Sequence, residues 1–164
     1  MKRTRLFLLA VVLALAAWAW LALHPSPEKL IRKQLDGVAR ATSFGASQGA
    51  LAKVIAAEGL EDFFSTNVEI NIDVPGHREH RLMARSEIPQ LAMAVRSSVR
   101  SLSVAFPDVT VTINADQVSA TADATLQVKI GGESDMIVQE VKITLRKTKS
   151  QWLIFKVETV RTLQ

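Results

Sequence analysis

The sequence has no cysteine and no tyrosine among its 164 residues, and only 5% of it is aromatic. Without cysteine there is no disulfide framework, no thiolate metal site, no cysteine nucleophile and no lipid-acylated cysteine. Without tyrosine there is no phenolic acid and no phenolic oxyanion donor. A large excess of one charge is missing as well. The formal charge is +4, but Lys2, Arg3 and Arg5 precede the first apolar run, which leaves 17 of the 20 basic residues against all 16 acidic ones. That near-neutral remainder excludes a polycationic surface for nucleic acid. The length fits one domain of ordinary size.

What is present begins with an address. Residues 6–23, LFLLAVVLALAAWAWLAL, carry no charge, glycine or proline. At about 1.5 Å per residue the run reaches roughly 27 Å, enough for a hydrocarbon core of about 30 Å. Trp18 and Trp20 lie near its end, where such rings favour the headgroup zone. The run reads as an uncleaved transmembrane signal anchor. A signal peptide cut after Ala19 is the competing reading, but it asks for an apolar stretch of only about 7–15 residues. Ala10 and Ala14 have a small-xxx-small spacing, weak support for helix pairing in the membrane. Lys2, Arg3 and Arg5 abut the run, whereas Lys29, Arg32 and Lys33 begin beyond it beside Glu28. Residues 1–5 are therefore expected as a cytoplasmic tail and everything after the span as exported. Export also suits the lack of cysteine.

Residues 24–27, His-Pro-Ser-Pro, read as a stiff linker before a folded domain over 28–164. Ser26 and Pro27 form an N-cap and N1 pair for a helix over 27–43, with Ile31, Leu35 and Val38 on one face. A second helix over 49–58 carries Leu51, Val54 and Ile55, and Leu60–Phe64 adds a helical turn. From Asn67 the period becomes two: Val68, Ile70, Ile72 and Val74 alternate with polar residues, Pro75-Gly76 turns the chain, and a return strand covers 77–83. Ser86 is expected to cap a helix over 87–101 whose buried stripe is Ile88, Leu91, Val95, Val99 and Leu102. Strands then follow at 103–114, 117–130, 135–148 and 151–163, joined by tight turns that make antiparallel neighbours. On the second of these, Ala120, Ala122 and Ala124 share a face and leave room for a helix to lie close. The pattern is α+β, with about three helices on one face of a curved, mostly antiparallel sheet.

This order of elements resembles the NTF2-like superfamily, the cone-shaped fold of nuclear transport factor 2, SnoaL-type cyclases and ketosteroid isomerase. The resemblance spans residues 27–163. It is carried by Leu60-Glu61-Asp62-Phe63-Phe64, by Ala84-Arg85-Ser86-Glu87 and by Gln151-Trp152-Leu153-Ile154. It implies a fold rather than an activity. The oxyanion hole of ketosteroid isomerase needs a tyrosine, absent here, and the last strand lacks the histidines of dehydratase-like members. A single span followed by such a domain is also similar to the bitopic assembly component of bacterial type IV secretion machines, in which the domain is a docking module. The resemblance thus implies a bacterial inner-membrane protein with a periplasmic, non-catalytic binding or assembly domain. It also implies a homodimer through its sheet and a protein partner, without cofactor, metal or nucleic acid. The alternative is a small-molecule binder or an isomerase-, dehydratase- or cyclase-like enzyme that uses a pocket carboxylate as base.

Candidate sites are few. Gly45-Ala46-Ser47-Gln48-Gly49 matches G-x-S-x-G, but a helix rather than a strand precedes it, so it reads as a helix-to-helix turn. His77 and His80 are three apart on a strand and point to opposite faces, which is no metal spacing. Arg78, Arg81, Arg85, Arg96 and Arg100 gather on the hairpin and the third helix; Arg85, Arg96 and Arg100 are the candidate surface for a partner or anionic lipid. Gln139, Glu140, Glu158 and Thr159 interrupt apolar strand faces and are the candidate pocket residues, with Lys142 and Lys156 as cross-strand partners. An inward carboxylate favours the enzyme; a cone filled by Phe63, Phe64, Phe106 and Phe155 favours the binding module.

Overall fold

In a computed structural model the structure describes Val11 and residues 26–74, 77–149 and 151–160. The expected span, Val11 aside, lies outside these residues, as do the Pro75-Gly76 turn and residues 161–164. Among the described residues no helix is long and apolar enough to cross a membrane.

Helix α1 (Pro27–Thr42) starts where the capping pair places it: the Ser26 hydroxyl accepts from the Lys29 amide at 3.4 Å, with proline in the first turn. It stops at Ser43, whose hydroxyl donates to the Ala39 carbonyl (2.7 Å) and accepts from the Val104 amide (2.9 Å). That pair of bonds ties the helix end to the sheet. After a turn come α2 (Ala50–Glu58) and a 3₁₀ segment (Gly59–Phe63), then strands β1 (Phe64–Val74) and β2 (His77–Ala84). Helix α3 (Ile88–Ser98) follows a 3₁₀ turn at Arg85–Glu87, so Ser86 lies inside that turn and is not the cap expected of it. The helix also ends earlier than residue 101. Ser97 and Ser98 bond back to the Met93 and Val95 carbonyls (2.8 and 2.9 Å), and such bonds compete with helix propagation.

The expected strand 103–114 is two strands, β3 (Leu102–Ala105) and β4 (Val109–Ile113), because Pro107 has no amide hydrogen for the ladder. Both pair antiparallel with β5 (Ser119–Ile130). Strands β6 (Met136–Thr148) and β7 (Gln151–Thr159) continue the sheet in the order β2-β1-β7-β6-β5-β3. Every pairing is antiparallel except β1 with β7, which is parallel.

The core follows from three alanines. Ala120, Ala122 and Ala124 are at most 1% exposed and share one buried cluster with Ile31 and Leu35 of α1 and with Val141, Ile143, Leu145, Trp152 and Ile154. Burying each of the two α1 side chains is worth about 1.5–3 kcal/mol. A smaller cluster of Leu60, Val68, Met83 and Ile88 sits under α3.

Two expected apolar stripes are turned. On α3 the buried residues are Ile88 and Arg96, eight apart, while Leu91 and Val95 are 46% and 37% exposed. On α2, Leu51 and Ile55 face solvent at 74% and 60%.

Candidate functional site

The end of α1, the 3₁₀ segment, the start of β1 and the inner side of α3 line a cavity of about 180 Å³. It is walled by Phe44, Leu60, Phe64, Ile88 and Leu102, with Leu91, Ala92 and Val95 along α3; its polar residues are Thr42 and Arg96. Phe44 reaches this position because its amide and carbonyl exchange bonds with Leu102 (2.8 and 3.0 Å), which pins the chain to the start of β3. Exposed Leu91 and Val95 bring the cavity to the surface along α3. Larger depressions, about 380 and 430 Å³, lie on the outside near Pro107 and Ser47 but are more open and more polar.

Arg96 is the charged member. It is only 4% exposed. One guanidinium arm donates to the Ala41 carbonyl, the other, Nη1, is buried with no partner among the described residues, and the group lies 5.1 Å from the centroid of the Phe44 ring. Burial alone lowers its pKa, and arginine still stays charged at any physiological pH. Arg96 is therefore not part of the exposed surface expected of Arg85, Arg96 and Arg100. Arg96 stands four residues after Ala92 and eight after Ile88, on the inward stripe, and Arg100 is exposed beyond the helix end. Arg85 is separate again, paired with Asp62 at 3.1 Å.

The candidate pocket carboxylates are elsewhere. Glu140 and Glu158 alternate with the inward Val141 and Val157 and so lie on the sheet face away from α1. Glu140 accepts from the Thr125 hydroxyl at 2.9 Å. Glu158 joins a network assembled from three strands: Lys156 Nζ is 2.9 Å from Glu158 and 3.3 Å from Glu69, and the Asn71 amide donates to both carboxylates at 3.3 and 3.0 Å. His80 touches Asn71 and is 3.9 Å from Glu69. The hydrogen bond from Lys156 holds Glu158 below the usual carboxylate range; Asn71 and then Lys156 do the same for Glu69; Glu158 and then Glu69 raise Lys156. A base for neutral pH needs the opposite shift. Thr159 accepts from the Asp73 amide (2.7 Å), and Gln139 donates to the Glu140 and Val160 carbonyls (3.0 Å each). These two side chains close the end of β7 and do not line the cavity.

The phenylalanines divide. Phe64 lines the cavity and Phe106 packs on the main core. Phe63 presses so closely on Gly37 that a Cβ there would come within 2.6 Å of its ring, which is why glycine stands inside α1. Phe155 stacks under the Arg146 guanidinium, 4.2 Å away. The 45–49 segment is a turn between helices with Ser47 exposed. No group of three or more metal-ligating side chains occurs among the described residues.

No protein-family model matches the sequence, and no curated protein matches it. Solved structures do. An NTF2-like protein with a cystatin-like fold from Novosphingobium aromaticivorans is similar at a TM-score of 0.61 and 18% identity, over 88% of this chain and 86% of that one. A provisionally named scytalone dehydratase from the same species gives 0.61 at 12% identity, over 83% and 84%. A domain of unknown function with a cystatin-like fold from Nostoc punctiforme gives 0.55 at 18%, over 84% and 78%. These likenesses show the fold: an α+β NTF2-like domain with a curved sheet and three helices.

Proposed function

We propose that the chain is a bacterial, membrane-tethered binding module, exported behind its 6–23 anchor, whose domain takes a small, largely apolar ligand in the cavity beneath α3. The observation that supports this is the composition of the wall: eight apolar residues, one threonine and one arginine, with no carboxylate, imidazole or amine to move a proton. A site of that kind holds a molecule and orients it without acid–base chemistry.

The test is small-molecule mass spectrometry of the full chain purified in lipid nanodiscs, then denatured and extracted. The expected result is a small compound near stoichiometric with the wild type and absent from Ala92→Phe, whose ring would fill the cavity. A compound retained equally by both, or by neither, contradicts the reading. For the tether, a periplasm-active reporter fused after Gln164 is expected to be active, and a silent one overturns the orientation.

A further inference from the structure

The arginines of the hairpin and the turn after it are each paired, Arg78 with Asp73, Arg81 with Glu87 and Arg85 with Asp62. Another set of cations is not. Lys29, Arg32 and Lys33 on α1 and Lys147 and Lys149 at the end of β6 are exposed, and no carboxylate forms an ion pair with them among the described residues. Positions 29, 32 and 33 are three and four apart and share one helix face, while Ile31 and Leu35 are buried on the other side. The topology brings the two strand lysines to the same end of the domain. Leu30, Lys33 and Gln34 share a surface depression with Gln151 and Trp152 at the start of β7, and those two residues pair with Thr148 and Lys147 across the ladder. Opposing charge there is sparse. Glu28 lies in the first turn of α1, and Asp36 follows one turn after Arg32. Asp116, in the β4–β5 turn bonded to β6 through the Lys147 amide, is engaged locally: it accepts from the Val118 and Ser119 amides at 3.0 and 2.9 Å.

We infer that these five side chains form a platform that rests on anionic lipid headgroups of the membrane carrying the anchor. The chain itself sets the distance. Residues 24–26 separate the apolar run from α1, and at about 3.3–3.6 Å each they reach no further than about 11 Å. Electrostatic screening at physiological salt acts over about 8 Å, so the first turn of α1 is held close to the headgroup charge. Each cation near an anionic surface favours contact by about fivefold. Five of them, unpaired within the domain, find their counter-charge there. Such a second point of contact fixes how the domain is presented, where the tether alone would let it swing.

This inference rests on the tether proposed above, and the experiment separates the two. The chain has no cysteine, so a single one can be introduced to carry a fluorophore. Thr148→Cys reports the platform. Ser134→Cys reports the opposite end of β6, whose 13 residues at about 3.3 Å each put the two labels roughly 40 Å apart. Each labelled full chain is placed in nanodiscs with a nitroxide quencher on the lipid headgroups, made either of phosphatidylcholine alone or with about one-third phosphatidylglycerol. Quenching at position 148 is expected to be about twofold or more stronger in the anionic discs and to fall to the neutral level in high salt, while position 134 does not respond. Replacing all five cations with glutamine is expected to abolish the difference. Equal quenching at 148 in both lipids, an equal response at 134, or a difference that survives the glutamines overturns the platform and leaves the tether standing. A chain that separates from the discs overturns both. The two labels on the unaltered platform decide the matter even where the glutamine variant fails to fold.

Discussion

The two sides of the sheet handle charge in opposite ways. On the open side Lys156 stands 3.3 Å from Glu69 and 2.9 Å from Glu158, all partly solvated, with Asn71 donating to both carboxylates. On the covered side a lone guanidinium sits among aromatic and aliphatic groups with one arm unbonded. A paired surface network is complete without help from another molecule; a buried single charge is not. The contrast separates the carboxylates, held in a self-sufficient network on one face, from the cavity, whose wall contains none of them.

Substitutions on the two faces differ in their expected effect. The largest effect belongs to the covered side's packing: Leu35→Ala, which empties a fully buried site in the alanine cluster, is expected to cost about 2–5 kcal/mol in urea unfolding. A cost under about 1 kcal/mol would mean that α1 does not hold the sheet. Next comes Arg96→Met, with the opposite sign. Removing an incompletely bonded buried charge is expected to stabilise the ligand-free protein by about 1–3 kcal/mol; a loss of that size would make Arg96 a structural strut. Ser43→Ala, which cuts the bond between the end of α1 and β3, is expected to cost about 0.5–1.5 kcal/mol. The smallest change falls on the open side. Lys156→Met is expected to lower the melting temperature slightly at neutral pH, as for other solvated pairs.

That last effect has a defined pH window. The two glutamates are held below their ordinary value of 4.5 in the folded state, so their contribution is full above it and disappears as pH falls through the lowered values. Lys156 is raised above its ordinary 10.5, so its contribution is full below that and disappears as pH rises through the raised value. Wild type and Lys156→Met should therefore differ between these limits and converge in acid. A difference that persists unchanged at pH 2 would show that packing, not charge, is responsible.

Local pattern carried much of the fold. The alternation at Ala120, Ala122 and Ala124 announced a buried face, and Ser26-Pro27 marked where α1 begins. The break at Pro107 was visible as a residue but not as a strand end, since edge strands tolerate proline. The site was less legible. Ile88, Leu91 and Val95 fit a helical stripe as well as Ile88, Ala92 and Arg96 do, and hydrophobicity favours the first. Packing chose the second, because α3 meets β1 and β2 through Ile88, beside Val68 and Met83. The Glu69–Lys156–Glu158 network depends on the parallel register of β1 with β7, which joins residues far apart in the chain. Nothing local specifies it. The spacing of Arg96 from Ile88 was the available clue to the pocket.

The most direct measurement is NMR of the methyl groups in the full chain, titrated with 2-phenylethanol. The account predicts that the Leu60, Ile88 and Val95 methyl signals move with saturation while those of Ile137, exposed on β6, stay in place. Movement of Ile137 with silent cavity methyls, or a uniform drift of all the methyl signals, would contradict it.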